Sequence, residues 1–458
     1  MGVSTQALVD AVSALAPGHA RPATPADMVA GVQPQVVVAP GSEDEVAATL
    51  AFADGEGLKV VMRGGATQLD LGAPPTGADI LLDMTRLDQV IEHAPHDQTV
   101  TVQAGLTLAA LQARLAQANQ WLAQDPMVGA EATIGGLIAT NATGARRLRY
   151  GGVRDQIIGV RVALADGTLA KGGGKVVKNV AGYDLPKLFT GSLGTLGVIV
   201  GASFRLYPLP AASRTVVFAA PDVAELCAVA LRVNASTLTP TILDILSSAV
   251  VGMDGAPIEA ASADTPMYTL AARFDSGVAA SVADQSAALL ALAGELAGAA
   301  RTLDDAEETA FWAAAQRAVA PEIATGMVTP TDAVSSPVSS SLLIKVSLLP
   351  ADIAGWLAAL DETARMSGLA TRWRAHAGHG LVYARVTGAD AVLPDVVDAL
   401  RQRANERRGS LVTQSAPPAL ARQLDVWGPA AGLSMMRRLK ERFDPHATLN
   451  PGRFIGGI

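Results

Sequence analysis

The chain opens on an amphipathic pattern. Leu8, Val9, Val12 and Leu15 recur at helical spacing, which predicts a short helix followed by a Pro-containing linker to about residue 30. From residue 35 the pattern changes to short apolar runs alternating with helical segments. Runs at 35–39, 58–62, 80–83, 90–93 and 99–103 predict strands. Between the first two, Ser42 followed by acids at 43–45 predicts a capped helix to about residue 56. Leu108, Leu111 and Leu115 predict a helix over 107–120. Further strands are expected at 157–164 and 197–206, and this pattern ends near Pro208-Leu209-Pro210. Residues 211–440 read differently: strand-like runs such as 215–219 and 342–348 alternate with alanine-rich helices such as 279–297. A Ser/Thr/Pro-rich stretch at 320–341 reads as loop, and 443–454 returns to Pro/Gly punctuation. The expected class is α+β, divided as 1–30 (helix and linker), 31–210 (first domain), 211–440 (second α+β domain) and 441–458 (tail).

Composition narrows the classes of function. Apolar residues at 50% suffice for a large core, so global disorder is excluded. A net charge of -8 argues against nucleic acid as a partner, since that needs a basic footprint. The lone cysteine, Cys227, can form no internal disulfide and cannot hold an iron–sulfur cluster, and its setting predicts a buried helix residue. Mean hydropathy is high at +0.29. Even so, no run approaches the roughly 18 apolar residues of a membrane helix. The first residues carry Asp10 and lack a basic start, unlike a signal peptide. A cytoplasmic location is expected, and peripheral attachment at the inner face of the cell membrane is compatible with it.

The 44 glycines are clustered. One group is RGGATQLDLG (63–72), directly after an expected strand. A second is TIGGLIATNATG (133–144), leading to YGGVRD (150–155). A third is GSLGTLGVIVG (191–201). Loops without Cβ atoms let backbone N–H groups converge on an anion, so these suggest a long phosphate-bearing ligand; tight turns alone are the other reading. No G-x-G-x-x-G occurs. The GGGKVV run (172–177) is no phosphate loop, because position 169 is Leu and Val176 follows Lys175.

These loops, in this order, resemble the FAD-binding domain of the vanillyl-alcohol oxidase family, the PCMH-type flavoproteins. The resemblance covers roughly residues 30–210: VVAPGSEDEV (37–46), RGGATQ, the ATIGG to YGGVRD block, VALADG (162–167) and GSLGTLGVI (191–199). It also reaches FDPHATLNPGR (443–453), and the stretch 175–197 is similar to FAD-binding subunits of bacterial glycolate oxidase. It implies a two-part FAD domain, a cap domain for substrate and a tail packing back on the FAD domain. It implies FAD contacts from the loop Arg63, Gly64, Gly65, Ala66, Thr67 and Gln68 at the pyrophosphate. Thr133, Gly135 and Gly136 would meet the ribityl chain and ring, Asn141 and Gly144 the same crevice, and Leu196, Gly197 and Val198 the adenine end. Asn450 would return from the tail, as ligand contact or as a turn cap before Pro451. Tyr183-Asp184 would support the third loop or form a corner. With no His in 63–72 and Cys227 far from the loops, the FAD is expected to be non-covalent.

Flavin chemistry on a 2-hydroxy acid needs an Arg for the carboxylate and a base for the hydroxyl proton. TRWRAHAGHGLVYAR (371–385) is the densest candidate. Strand alternation puts Arg372, Arg374 and His376 on one face and Trp373 on the other, with His379 between Gly378 and Gly380, and Tyr383 beyond. A solvated strand edge is the alternative. HAGHG lacks the full metal-binding His motif of glycolate-oxidase-like catalytic subunits, so no metal is expected. The resemblance further implies a second flavin subunit and an iron–sulfur subunit as partners, to which electrons from a small 2-hydroxy acid would pass. A non-catalytic flavin-carrying subunit and a self-sufficient FAD oxidase of another alcohol or sugar remain alternatives. Asp83, Arg86 and Asp88 read as a turn, Trp312 as helix packing, and RQRANERRG (401–409) as a solvated helix face or a docking surface.

Overall fold

The computed structural model describes residues 4–129, 131–175, 182–251, 267–303, 305–320 and 339–458. Most of the expected loop at 320–341 and part of the 175–197 stretch lie outside the described residues.

Two small sheets build the first domain. A four-stranded sheet runs in the order Ala20–Pro22, Val36–Val38, Ile80–Asp83, Val60–Arg63. Its inner strands are parallel and continuously apolar, as strands covered on both faces must be. Ala20–Pro22 pairs antiparallel at the edge, so part of the expected linker is sheet; its proline is tolerated there because an edge strand has a free N–H side. Helix Glu43–Gly55 covers this sheet. Ser42 Oγ accepts the N–H of Glu45 at 3.1 Å, and the three acids of the first turn favour the positive end of the helix dipole.

The second sheet is five-stranded and antiparallel, in the order Val90–Ala94, Thr99–Gln103, Val198–Arg205, Ile157–Ala163, Leu169–Gly173. Helix Leu108–Ala116 is shorter than its periodicity suggests. Asn119 takes a left-handed φ of 55° and redirects the chain into the short strand Gln120–Trp121. A larger correction concerns TIGGLIAT. It is helical over Ile134–Thr140, with Thr133 Oγ1 as the cap. The helix is glycine-rich where it lies against the strand end at Ala104: a Cβ on Gly135 would stand 2.9 Å from the Cβ and 3.1 Å from the carbonyl oxygen of Ala104.

The second domain is an eight-stranded antiparallel sheet with most of its helices on one face and helix Asp305–Arg317 on the other. Ile242–Leu246, Ala370–His376, Leu381–Ala389 and Ser339–Ser347 are consecutive at its centre. Trp356 and Trp373 anchor the core beneath the helices. The opposite face meets the first domain: Met127 packs with Leu343, Leu381 and Tyr383, and Ala145 packs with Ile242 and Leu246. Cys227 is buried in helix Val223–Asn234 and Trp312 packs in the core, as their settings suggest. Arg401 departs from a solvated helix face: it is buried, and its guanidinium binds the carbonyls of Leu411 and Asp425.

The tail then returns to the first sheet. Val60 donates to Thr448 O at 2.8 Å and Asn450 donates to Val60 O at 2.9 Å, adding a bridge beside Val60–Arg63. Buried Lys440 locks the turn, donating to Asp444 at 2.5 Å and to the carbonyls of Thr195 and Leu449 at 2.9 Å each.

Candidate functional site

The strand Val60–Arg63, the start of helix Ile134–Thr140, the turn at 193–194 and the tail converge on one cleft of about 850 Å³. Arg63, Gly64, Gly65, Ala66, Thr67 and Gln68 line it, as do Thr133, Gly135, Gly136, Val198 and Asn450. Much of this wall is backbone. A Cβ on Gly64 would stand 2.2 Å from Thr133 Oγ1, and one on Gly65 only 1.6 Å from the carbonyl oxygen of Glu131. Ala66 holds a left-handed φ of 57°, which turns successive N–H groups inward as in an anion-binding nest. Asn450, also left-handed, donates from Nδ2 to Leu193 O at 2.5 Å and pins the tail against the turn.

Several expected contacts fall elsewhere. The guanidinium of Arg63 is committed to Asp27 at 3.0 Å and Asp83 at 2.7 Å, so Arg63 serves the cleft with its backbone and ties the sheet with its charge. Leu196 is buried in the core that holds Phe189, and Gly197 lies against Phe189 and Ala163. Gly144 packs on Asp125, whose carbonyl a Cβ would meet at 1.8 Å. Asn141 lines a neighbouring chamber instead. Tyr183 is 93% exposed. Sequence reasoning missed Leu193, Gly194 and Arg453, which line the cleft. The signal for the first two was the GSLG turn, where both residues take positive φ. For Arg453 it was position in the tail motif.

The charged residues lining the cleft are Arg63 and Arg453; no carboxylate or histidine lines it among the described residues. Arg453 is buried, its terminal nitrogen donates to Leu71 O at 2.7 Å and also to Leu69 O, and its Nε has no acceptor. A backbone cradle, a buried cation with one N–H left over and apolar walls (Leu69, Leu71, Met84, Leu137) suit a long anionic ligand carrying a flat ring.

A small chamber adjoins this cleft and shares Gln68 and Thr140 with it. Thr140 Oγ1 donates to Gln68 Oε1 at 2.7 Å, linking the first two glycine loops. Lys345, Tyr383 and Gln414 enter the chamber from the second domain, facing Met127, Val128 and Asn141 of the first. Tyr383 is the member of the 371–385 constellation that lines the chamber. Arg374 and His376 sit on the expected face but are buried and turned to Asp244, at 2.6 and 2.8 Å. Arg372, half-buried, lies further along the same face. His379 stacks on His376 with ring centroids 5.3 Å apart, and neither of its ring nitrogens has a partner. Asp244, which anchors this cluster, carries no signal in sequence: in TILDILSS it is a single acid in an apolar strand. Among the described residues no group of three or more His, Cys, Asp and Glu side chains could hold a metal ion.

Burial governs the electrostatics here. Burial alone would raise Asp244, yet His376 and Arg374 outweigh it and hold its carboxyl at about 2. Burial pushes the Tyr383 phenol up to about 12, so it stays protonated. Lys345 is pushed down by burial and by the charge of Arg147. His379 is pushed down to about 3, by burial first and then by His376, with Asp244 opposing. The unfolded chain binds a proton at His379 below about pH 6.5, whereas the folded chain does so only near pH 3. That contribution to stability is therefore complete above about pH 6.5 and is lost as pH falls, by roughly 2 kcal/mol on reaching pH 5. Thermal unfolding from pH 7 to 5 is expected to show a flatter profile in His379→Leu. Identical slopes would contradict this account.

Comparison with known proteins gives two family models in sequence order. Residues 34–173 match an FAD binding domain. Residues 209–412 and 424–454 match the C-terminal domain of FAD linked oxidases. The chain is 28% identical over 436 residues to a D-2-hydroxyglutarate dehydrogenase of Xanthomonas citri pv. viticola, covering 92% of this chain and 89% of that protein. It is 27% identical over 443 residues to glycolate oxidase subunit GlcD of Bacillus subtilis, with coverages of 92% and 89%. Among solved structures, alkyldihydroxyacetonephosphate synthase shares the fold at a TM-score of 0.69 and 17% identity, over 92% of this chain and 76% of that one.

Proposed function

Because the chain belongs to the FAD-linked oxidases and is an FAD-dependent oxidoreductase, we propose that it oxidises a small 2-hydroxy acid in the chamber beside the flavin cleft. The loop 64–68 would hold the pyrophosphate, the glycines at 135 and 136 would allow the ring close approach, and Arg453 would supply a buried positive charge. Bound flavin would accept the hydride, and the hydroxyl proton would leave to water, since no carboxylate or histidine lines the chamber among the described residues. No histidine or cysteine lies on the cleft among the described residues, so we propose non-covalent binding.

The observation that carries this reading is Lys345. It is a half-buried amine with no hydrogen-bond or ion-pair partner among the described residues, and it lines a chamber contiguous with the flavin cleft. A partly desolvated cation without a partner is costly, and a substrate carboxylate satisfies it. Carboxylate binding restores the ammonium form that burial and Arg147 disfavour. Tyr383, kept protonated, and Gln414 orient the hydroxyl group. Met127, Val128 and Leu343 limit water. Arg374 and His376 act indirectly, holding with Asp244 the strand that faces Tyr383 across the ladder.

Anaerobic titration of the holoprotein with glycolate, lactate and 2-hydroxyglutarate tests the reading. Bleaching of the flavin by at least one acid is expected, and no reduction by any of them defeats it. Lys345→Met should retain FAD and raise KM by roughly ten- to a hundredfold, the worth of one charge-assisted hydrogen bond. An unchanged KM would remove Lys345 from the site.

A second reading, a flavin carrier that leaves catalysis to a partner, draws on the commitment of Arg374 and His376 to Asp244 and on the glycolate oxidase relative being named a subunit. We propose that the chain works in such an assembly, passing electrons to a second flavin subunit and an iron–sulfur subunit. Among the described residues no helix is long and apolar enough to cross a membrane. Affinity purification from the native cell, scored for a cysteine-rich iron–sulfur protein, tests the assembly. A stable flavin-loaded chain recovered alone would count against it.

A further inference from the structure

Val128 also borders a second space, which shares no lining residue with the flavin cleft. This outer cleft, about 1080 Å³, opens between helix Leu108–Ala116, Trp121 and Gln316 of helix Asp305–Arg317. Its glutamine amides are already engaged: Gln112 with Leu122, Gln124 with Gly151 O, and Gln316 with Pro126 O at 2.8 Å. Asp125 and Arg146 are its charged liners. Both carboxylate oxygens of Asp125 accept the backbone N–H of Arg146, at 3.1 and 3.2 Å, and the charges of Arg146, Arg374 and His376, in that order, act on it.

The guanidinium of Arg146 feels the charge of Asp125 but makes no hydrogen bond or ion pair with a described residue. It lies over the Trp121 ring, 4.7 Å from the centroid, and its buried Nε has no acceptor. The next residue, Arg147, acts on the other side, where its charge is felt by Lys345, His379 and Tyr383. One turn of chain, 145–150, thus presents positive charge to both spaces.

Resting on the hydroxy-acid reading, we propose that the outer cleft is a docking site for the carboxylate of the incoming substrate, held by Arg146 against Trp121 before it passes Val128 to Lys345. The chemistry favours this. A guanidinium offers a planar fork to a carboxylate. Stacking on Trp121 already restrains that fork, so less freedom is lost on binding. The partly desolvated wall strengthens the attraction.

A probe that cannot react separates docking from turnover. 2-Hydroxy-2-methylpropanoate carries the carboxylate and hydroxyl but no Cα hydrogen. Titrated into the FAD-loaded protein, it is expected to change tryptophan emission saturably. The change should vanish in Trp121→Phe, weaken roughly ten- to a hundredfold in Arg146→Gln, weaken less in Arg146→Lys, which keeps the charge without the fork, and survive in Lys345→Met. Retained flavin absorbance reports that each variant is folded. The proposal is overturned if no Trp121-dependent change occurs, if Arg146→Gln saturates like the parent, or if Lys345→Met abolishes the signal. With a true substrate, Arg146→Gln should lower kcat/KM and its dependence on salt while leaving the limiting rate of flavin reduction. Because the probe is not oxidised, a protein that no hydroxy acid reduces can still show docking, so the two readings fail separately.

Discussion

Gly65→Val is expected to yield a protein without flavin. Its first side-chain carbon would lie 1.6 Å from the carbonyl oxygen of Glu131 and 2.6 Å from the carbonyl carbon. Both are backbone atoms, so no side-chain rotation relieves the clash, and the 64–68 loop must part from the segment leading into helix Ile134–Thr140. Overpacking of this kind costs on the order of 1–3 kcal/mol or more. The larger loss is functional, because the two walls of the cleft separate. The second domain shares little of this contact and should stay folded. The check is visible absorbance per mole of purified protein, beside Gly55→Ala, where a Cβ meets nothing within 4 Å. Full flavin content in Gly65→Val would mean that the cradle is not where FAD binds.

Asp244→Asn should cost stability more than any other single change in the second domain. Asp244 is fully buried between Arg374 and His376, and removing its charge leaves a guanidinium buried without compensation. Breaking a buried pair by one partner costs about 3–5 kcal/mol, which in a domain of this size lowers Tm by on the order of 10 °C. The informative comparison is the triple variant Asp244→Leu, Arg374→Met, His376→Leu. Replacing a whole buried ionic cluster with apolar groups is often close to neutral. A triple variant more stable than the single one, and still reduced by substrate, would assign the cluster to architecture. Abolished reduction in a stable triple variant would return Arg374 and His376 to the chemistry.

These expectations show where sequence was readable. The inner strands of the first sheet and the capped helix 43–55 appear within a residue or two of their expected limits, because apolar runs and a Ser-plus-acid start are local signals. The family and its cofactor were legible for the same reason: ordered glycine loops encode backbone approach, and glycine is the residue type that sequence displays most openly. Leu196 and Gly197 illustrate the limit. They stand beside cleft residues in the chain, but local packing against Phe189 turned them inward, while Leu193 and Gly194 took the cleft through positive φ.

The chemistry of the second domain was less legible. Strand alternation placed Arg372, Arg374 and His376 on one face, and the ladder keeps that pattern. Alternation does not say which neighbour across the sheet will claim them. Asp244 lies 130 residues from Arg374 in sequence and 2.6 Å away in space, and its charge captured both candidates. Lys345 stands on a strand of serines and aliphatics with no motif around it. Only the docking of one domain on the other walls it into a chamber with Gln68 and Asn141.

The sequence by itself determined the class, the cofactor family and the backbone character of the cofactor cradle, because short-range periodicity and glycine placement are properties of adjacent residues. The tertiary structure alone decided which charges remain unpaired. That outcome depends on desolvation and on partners from distant strands, and it left Lys345 and Arg146 available for a ligand while consuming Arg63, Arg374 and His376 in the fold.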